Sequence, residues 1–245
     1  MTPLEAALRD LVQASWERPA RLGPDDLQAL RAVAGDGALD YAFVVGGFHF
    51  INRIADLLHV DAELLPEALR RFETLRRLSV RLMARLFGRV IDLRNRVDGV
   101  PPEPLIARVA RRVDRPVEAA LAPLGARPRL IEILALALEE RDERNGLPRA
   151  TIARVQRAVE AALPHAADEA TGFHPRPVDP VEAFAFVGTR YAQRTTPEMI
   201  AALRGAGYDD LGILDLAITI ADANNWARLW RWLNLPPDLL YCEVV

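Results

Sequence analysis

The chain has 245 residues, 51% hydrophobic in type and 27% charged, enough for one large or two small packed domains. Its 31 basic residues are all arginine, its formal net charge is −3, and Cys242 is its one cysteine. These counts exclude a Schiff-base amine, a Walker-type phosphate lysine, an internal disulfide and a redox cysteine pair within one chain.

Apolar residues recur at helical spacing along nearly the whole chain, without sustained two-residue alternation, so an all-α protein is expected. The start, Met1-Thr2-Pro3-Leu4-Glu5, lacks the basic and apolar stretches of a signal peptide. The longest near-apolar run, Tyr41 to Ile51, has 11 residues and contains His49. A membrane-spanning helix needs about 20, so a soluble cytoplasmic protein is expected. Proline and glycine then punctuate the chain at Gly23-Pro24, Gly35 to Gly37, Gly99 to Pro102, Gly125 to Pro128, Gly146 to Pro148, Pro164 to Pro180 and Pro236-Pro237. These breaks delimit about ten helices. Thr196 is expected to cap a helix opening at Pro197-Glu198 through its hydroxyl, with Gly205 or Gly207 ending it.

Between Arg70 and Arg115 the balance is +8, which leaves −11 for the remainder. Leu75, Leu78, Leu82, Leu86, Val90 and Leu93 form an apolar stripe there, with arginines on the other faces. That pattern suits a long amphipathic helix docking on the acidic remainder or on a twin subunit, with a phosphate-tracking surface for nucleic acid as the competing reading. His165 and His174 bracket a loop with Asp168 and Glu169, but no two of the four histidines have ligand spacing, and neither a metal nor another cofactor is expected. Trp226, Trp230 and Trp232 are read as core or subunit interface, and Cys242 as an inert buried thiol.

The chain also repeats itself. Leu39-Asp40-Tyr41-Ala42-Phe43-Val44-Val45 aligns with Leu214-Asp215-Leu216-Ala217-Ile218-Thr219-Ile220, and at the same offset Arg53 meets Arg228. Upstream, Ala29-Leu30-Arg31 stands beside Ala202-Leu203-Arg204, Pro24 beside Pro197, and Glu5-Ala6 beside Glu182-Ala183. Two similar helical units packed about a pseudo-twofold axis are expected, spanning residues 1–115 and 116–245.

Thr196-Pro197 opening a helix that runs to Ala202-Leu203-Arg204-Gly205-Ala206-Gly207-Tyr208, followed by Asp209-Asp210-Leu211-Gly212-Ile213-Leu214-Asp215-Leu216-Ala217, resembles the C-terminal part of the alkylhydroperoxidase D-like, carboxymuconolactone decarboxylase-type helical proteins. Phe48 to Leu58 is similar to the same helix in their peroxidase-related branch. The resemblance implies a duplicated helical bundle that forms homo-oligomers, most simply a dimer. It also implies a catalytic glutamate, and Arg129 to Ala137 resembles the helix that carries it, which gives Glu132 that role. In the family a CxxC pair and a histidine follow; here Glu139 to Thr151 contains neither sulfur nor imidazole, so peroxidase chemistry is not expected.

Two polar stripes supply the remaining candidates. His49, Asn52, Arg53 and Asp56 share one face of their helix, and Asn224, Arg228 and Arg231 recur at matching spacing on the second. Converging, Arg53 and Arg228 with Asn52 and Asn224 would hold a small anionic ligand. The competing reading pairs Arg53 with Asp40 or Asp56, and Arg228 with Asp215 or Asp222. A ligand-binding or interaction protein is therefore expected first. Second comes an acid–base enzyme on a small carboxylate, decarboxylase or isomerase in type, using Glu132 or His49. Nucleic-acid binding through residues 70–115 is third.

Overall fold

The computed structural model describes residues 1–59, 102–113, 117–125, 127–144, 146–165 and 178–236. Ten α-helices lie among these residues, which contain no strand: α1 (Pro3–Glu17), α2 (Gln28–Ala34), α3 (Gly37–Leu57), α4 (Pro102–Val113), α5 (Glu118–Leu121), α6 (Pro128–Arg144), α7 (Arg149–Ala162), α8 (Pro180–Arg190), α9 (Pro197–Gly205) and α10 (Asp210–Leu233). The fold is all-α, and its breaks follow the proline and glycine positions. None of the described helices is long and apolar enough to cross a membrane. The leucine stripe between residues 75 and 93, the loop around Asp168, Glu169 and His174, and Cys242 fall outside the described residues.

Side chains explain where the helices start. Thr2 and Glu5 cap α1 reciprocally, at 3.2 and 2.7 Å. Asp179 accepts the amides of Val181 and Glu182 to open α8, and Asp209 accepts that of Gly212 to open α10. Thr196 holds the N-cap position of α9, with Pro197 next, but its hydroxyl does not take a helix amide as expected. It bonds instead to the Glu198 carboxylate, which holds that group below the ordinary carboxylate value.

The helices bury two apolar clusters. The first joins α1, α2, the N-terminal half of α3, and α4 to α6 with Leu229, Trp232 and Leu233 from the end of α10. The second joins α7, α8, α9 and α10 from Ile213 to Ala227 with Leu57 from the end of α3. Helices α3 and α10 therefore run antiparallel at the centre, and α10 belongs to both clusters. Trp232 is fully buried and Trp226 and Trp230 pack half-buried on the first cluster, as a core role requires. Arg231 lies over the Trp230 ring at 4.0 Å and reaches Glu160 of α7 at 2.6 Å.

Two runs of the chain share element order and turn geometry. Helix α1, a 3-10 turn at Pro19–Arg21, then α2 and α3 are matched by α8, a 3-10 turn at Ala192–Arg194, then α9 and α10, the first run alone having a further 3-10 turn, at Pro24–Leu27. Arg18, after α1, has φ −142° and ψ 51°; Tyr191, after α8, has −144° and 59°. Gly35 and Gly207 both take positive φ after the short helix, and His59 and Asn234 both do so after the long one.

Candidate functional site

His49 sits near the middle of α3 on its buried side and is 3% exposed. Its Nε2 lies 2.7 Å from the Ser15 hydroxyl, which is itself 2.6 Å from the Val12 carbonyl one turn back on α1. A hydroxyl has one hydrogen, and the Val12 carbonyl can only accept. Ser15 therefore donates to Val12 and accepts from His49, which assigns the imidazole hydrogen to Nε2 and leaves Nδ1 a bare acceptor. Nδ1 is buried and has no hydrogen-bond partner. Burial first, then the charges of Arg228 and Arg53, lower the His49 pKa from 6.5 to about 2, so the ring is neutral at physiological pH. A serine hydroxyl 2.7 Å from an imidazole has the spacing of a nucleophile and its base. Ser15, however, is fully buried and its hydrogen is already given to Val12, so it offers no hydroxyl to a substrate.

The two arginines are explained by helix ends. The last four carbonyls of a helix have no partner within it, and they form the negative end of its dipole. Arg53 of α3 donates from Nη1 to Gly188 and Thr189 carbonyls, the latter at 2.9 Å, at the end of α8. Arg228 of α10 donates from Nε to the Ser15 carbonyl near the end of α1, at 3.1 Å. Helix α3 thus supplies a cation that caps the end of α8, and α10 one that caps the end of α1. Burial lowers the Arg53 pKa only to about 10, with Asp56 opposing the shift, so the guanidinium stays charged.

Four expected residues meet here: His49, Arg53, Asn224 and Arg228 are all buried around the Ser15 end of α1 and the Thr189 end of α8. Asn224 donates to the Thr189 hydroxyl at 3.0 Å and to the Ile220 carbonyl at 2.9 Å, while Arg228 donates to its carbonyl at 2.7 Å. Asp40, a candidate partner for Arg53, pairs with Arg127 at 3.2 Å, and Asp215 accepts the Gly146 amide at 3.2 Å. Glu132 is half-buried on α6, which packs on α4.

Beside His49 opens a cleft of about 220 Å³ between α1 and α3, lined by Val12, Trp16, Val45, Phe48, His49 and Asn52. Asn52 is exposed on its rim. Trp16 leans on the imidazole, with ring centroids 4.7 Å apart and planes tilted by 54°. It is half exposed, as are Phe48, Val44 and Ile51 around it. Sequence reasoning reached His49 and Asn52 but missed Val12, Ser15 and Trp16. The available signal was Ser15 itself, a polar residue on the face of α1 that Ala7, Leu11 and Ala14 make apolar. Among the described residues no histidine, cysteine and carboxylate group could hold a metal. Comparison of the chain with family models, curated proteins and solved structures finds no match.

Proposed function

We propose that the chain is a ligand-binding protein of the alkylhydroperoxidase D-like type, duplicated within one chain and without peroxidase chemistry, and that the cleft between α1 and α3 receives its ligand. One observation carries this reading: a neutral, almost wholly buried imidazole with an unused acceptor forms part of an otherwise mostly apolar cleft. A buried polar atom without a partner is unfavourable by about 1–3 kcal/mol, and a ligand that supplies the partner recovers it. The corresponding residue on α10, Asn224, makes no such opening, because its amide hydrogens are both taken. Acid–base chemistry is the weaker reading. An imidazole with a pKa of about 2 is a poor base and is never the acid near neutral pH.

The test is a titration of the isotope-labelled protein with a panel of monocyclic compounds, followed by NMR. Saturable shifts confined to the Trp16 indole and the backbone of Val12, Val45 and Phe48 are expected. Scattered, unsaturable shifts would overturn binding at the cleft. Broadening of the same resonances with protein concentration alone would turn the reading toward contact between copies of the chain.

A further inference from the structure

The chemistry of the ligand follows from the hydrogen count around His49. The Ser15 hydroxyl fixes the ring hydrogen on Nε2, so Nδ1 offers only a lone pair to a neighbour. The remaining cleft walls, Val12, Trp16, Val45 and Phe48, are apolar apart from Asn52 at the rim. An apolar cavity of about 150 Å³ accommodates benzene, and this one, at about 220 Å³, has room for a somewhat larger ring compound. Charge narrows the class further. A carboxylate has no hydrogen to give to Nδ1, and an ammonium would approach the same region as Arg53 and Arg228, whose charges already oppose protonation of the ring.

Taking the cleft as the binding site, we infer that its ligand is an uncharged aromatic or similarly compact apolar molecule bearing one hydrogen-bond donor, of the phenol or indole type, which donates to His49 Nδ1. This replaces the anion expected from the arginine stripes, because neither Arg53 nor Arg228 lines the cleft. Nδ1 is buried and the half-exposed Trp16 ring leans on the imidazole at 4.7 Å, so the ligand reaches Nδ1 as that ring moves aside and packs against the ligand instead.

The experiment compares phenol, anisole and benzoate against the unmodified full-length chain. It reads the Trp16 indole N–H and the His49 ring nitrogens by NMR. Phenol is expected to bind about five- to tenfold tighter than anisole, the worth of one hydrogen bond, and to shift the Nδ1 resonance while leaving Nε2 protonated. Equal affinity for phenol and anisole, with Trp16 responding to both, would overturn the donor inference and leave the cleft a binding site. Tightest binding by benzoate would overturn it in favour of an anion. No saturable response to any of the three would overturn the cleft reading and this inference with it. In the variant Phe48→Ala, which opens the exposed wall without touching the His49 network, the preference for phenol over anisole should persist, and its loss would overturn the donor inference.

Discussion

At the residue scale, His49 links the cleft to the stability of the fold. Its pKa is 6.5 when exposed and about 2 in the folded chain. Between those values the unfolded state carries one more proton than the folded state, so stability falls as pH falls through this window and is complete above about pH 7. The slope from this one group approaches about 1.4 kcal/mol per pH unit. Carboxylates also titrate on acidification, and comparison with His49→Gln isolates the imidazole. Glutamine keeps an N–H for the Ser15 hydroxyl but does not titrate. Urea unfolding at pH 7, 6, 5 and 4 should therefore show the wild type losing stability faster than His49→Gln, with the gap widening below pH 6. Parallel curves would mean that the ring charges inside the folded protein, and that Nδ1 has access to water.

At the scale of elements, α8 and α1 hold equivalent places in their units but meet the long helices differently. Helix α8 packs directly on α10, and Gly188 lets it close. A Cβ there would lie 2.8 Å from Leu57 Cδ2 and 3.1 Å from Ile220 Cγ2. Helix α1 meets α3 through the larger Ser15, Trp16 and His49 side chains, and the cleft is the space this leaves. Gly→Ala within a helix ordinarily stabilises by about 1 kcal/mol, whereas overpacking destabilises by about 1–3 kcal/mol. Gly188→Ala should consequently lose up to about 2 kcal/mol. Gly47→Ala, with nothing near its Cβ site, should gain several tenths. Thermal melts of the two variants check the contrast, and equal gains in both would show that α8 is not held by close approach at Gly188.

Element boundaries were legible because proline and glycine act locally: Pro102, Pro128, Pro180 and Pro197 each open a described helix. The polar stripe on α3 was legible for the same reason, since residues one turn apart share a face whatever the helix packs against. Its partners were not. Arg53 Nη1 donates to carbonyls more than 130 residues away, and a backbone acceptor leaves no trace in residue type, so carboxylates such as Asp40 stood in for it. Trp16 and Val12 escaped notice because a cleft arises from the spacing between two helices, a property of neither helix alone.

At the scale of the whole molecule, the exchanged arginine caps bind the α1–α3 run and the α8–α10 run to each other. Arg53 closes the end of α8 from α3, Arg228 the end of α1 from α10, and α10 contributes to both apolar clusters. If each unit were stable alone, removing one cap would loosen only the helix it serves. Here the long helix that carries each cap and the helix that receives it belong to different runs of the chain, so neither end can open without exposing the α3–α10 contact. Hydrogen bonds to a charged group are worth about 1.5–3 kcal/mol each, and Arg53→Met should therefore lower stability by about 2–4 kcal/mol. The loss should appear as a shift of one cooperative calorimetric transition. Arg228→Met should act likewise, and the double variant should fall short of the sum of the two, since the second cap protects an interface that the first substitution has already weakened. Two resolved transitions in either single variant would show that the units unfold independently and that the arginines act only on local helix ends.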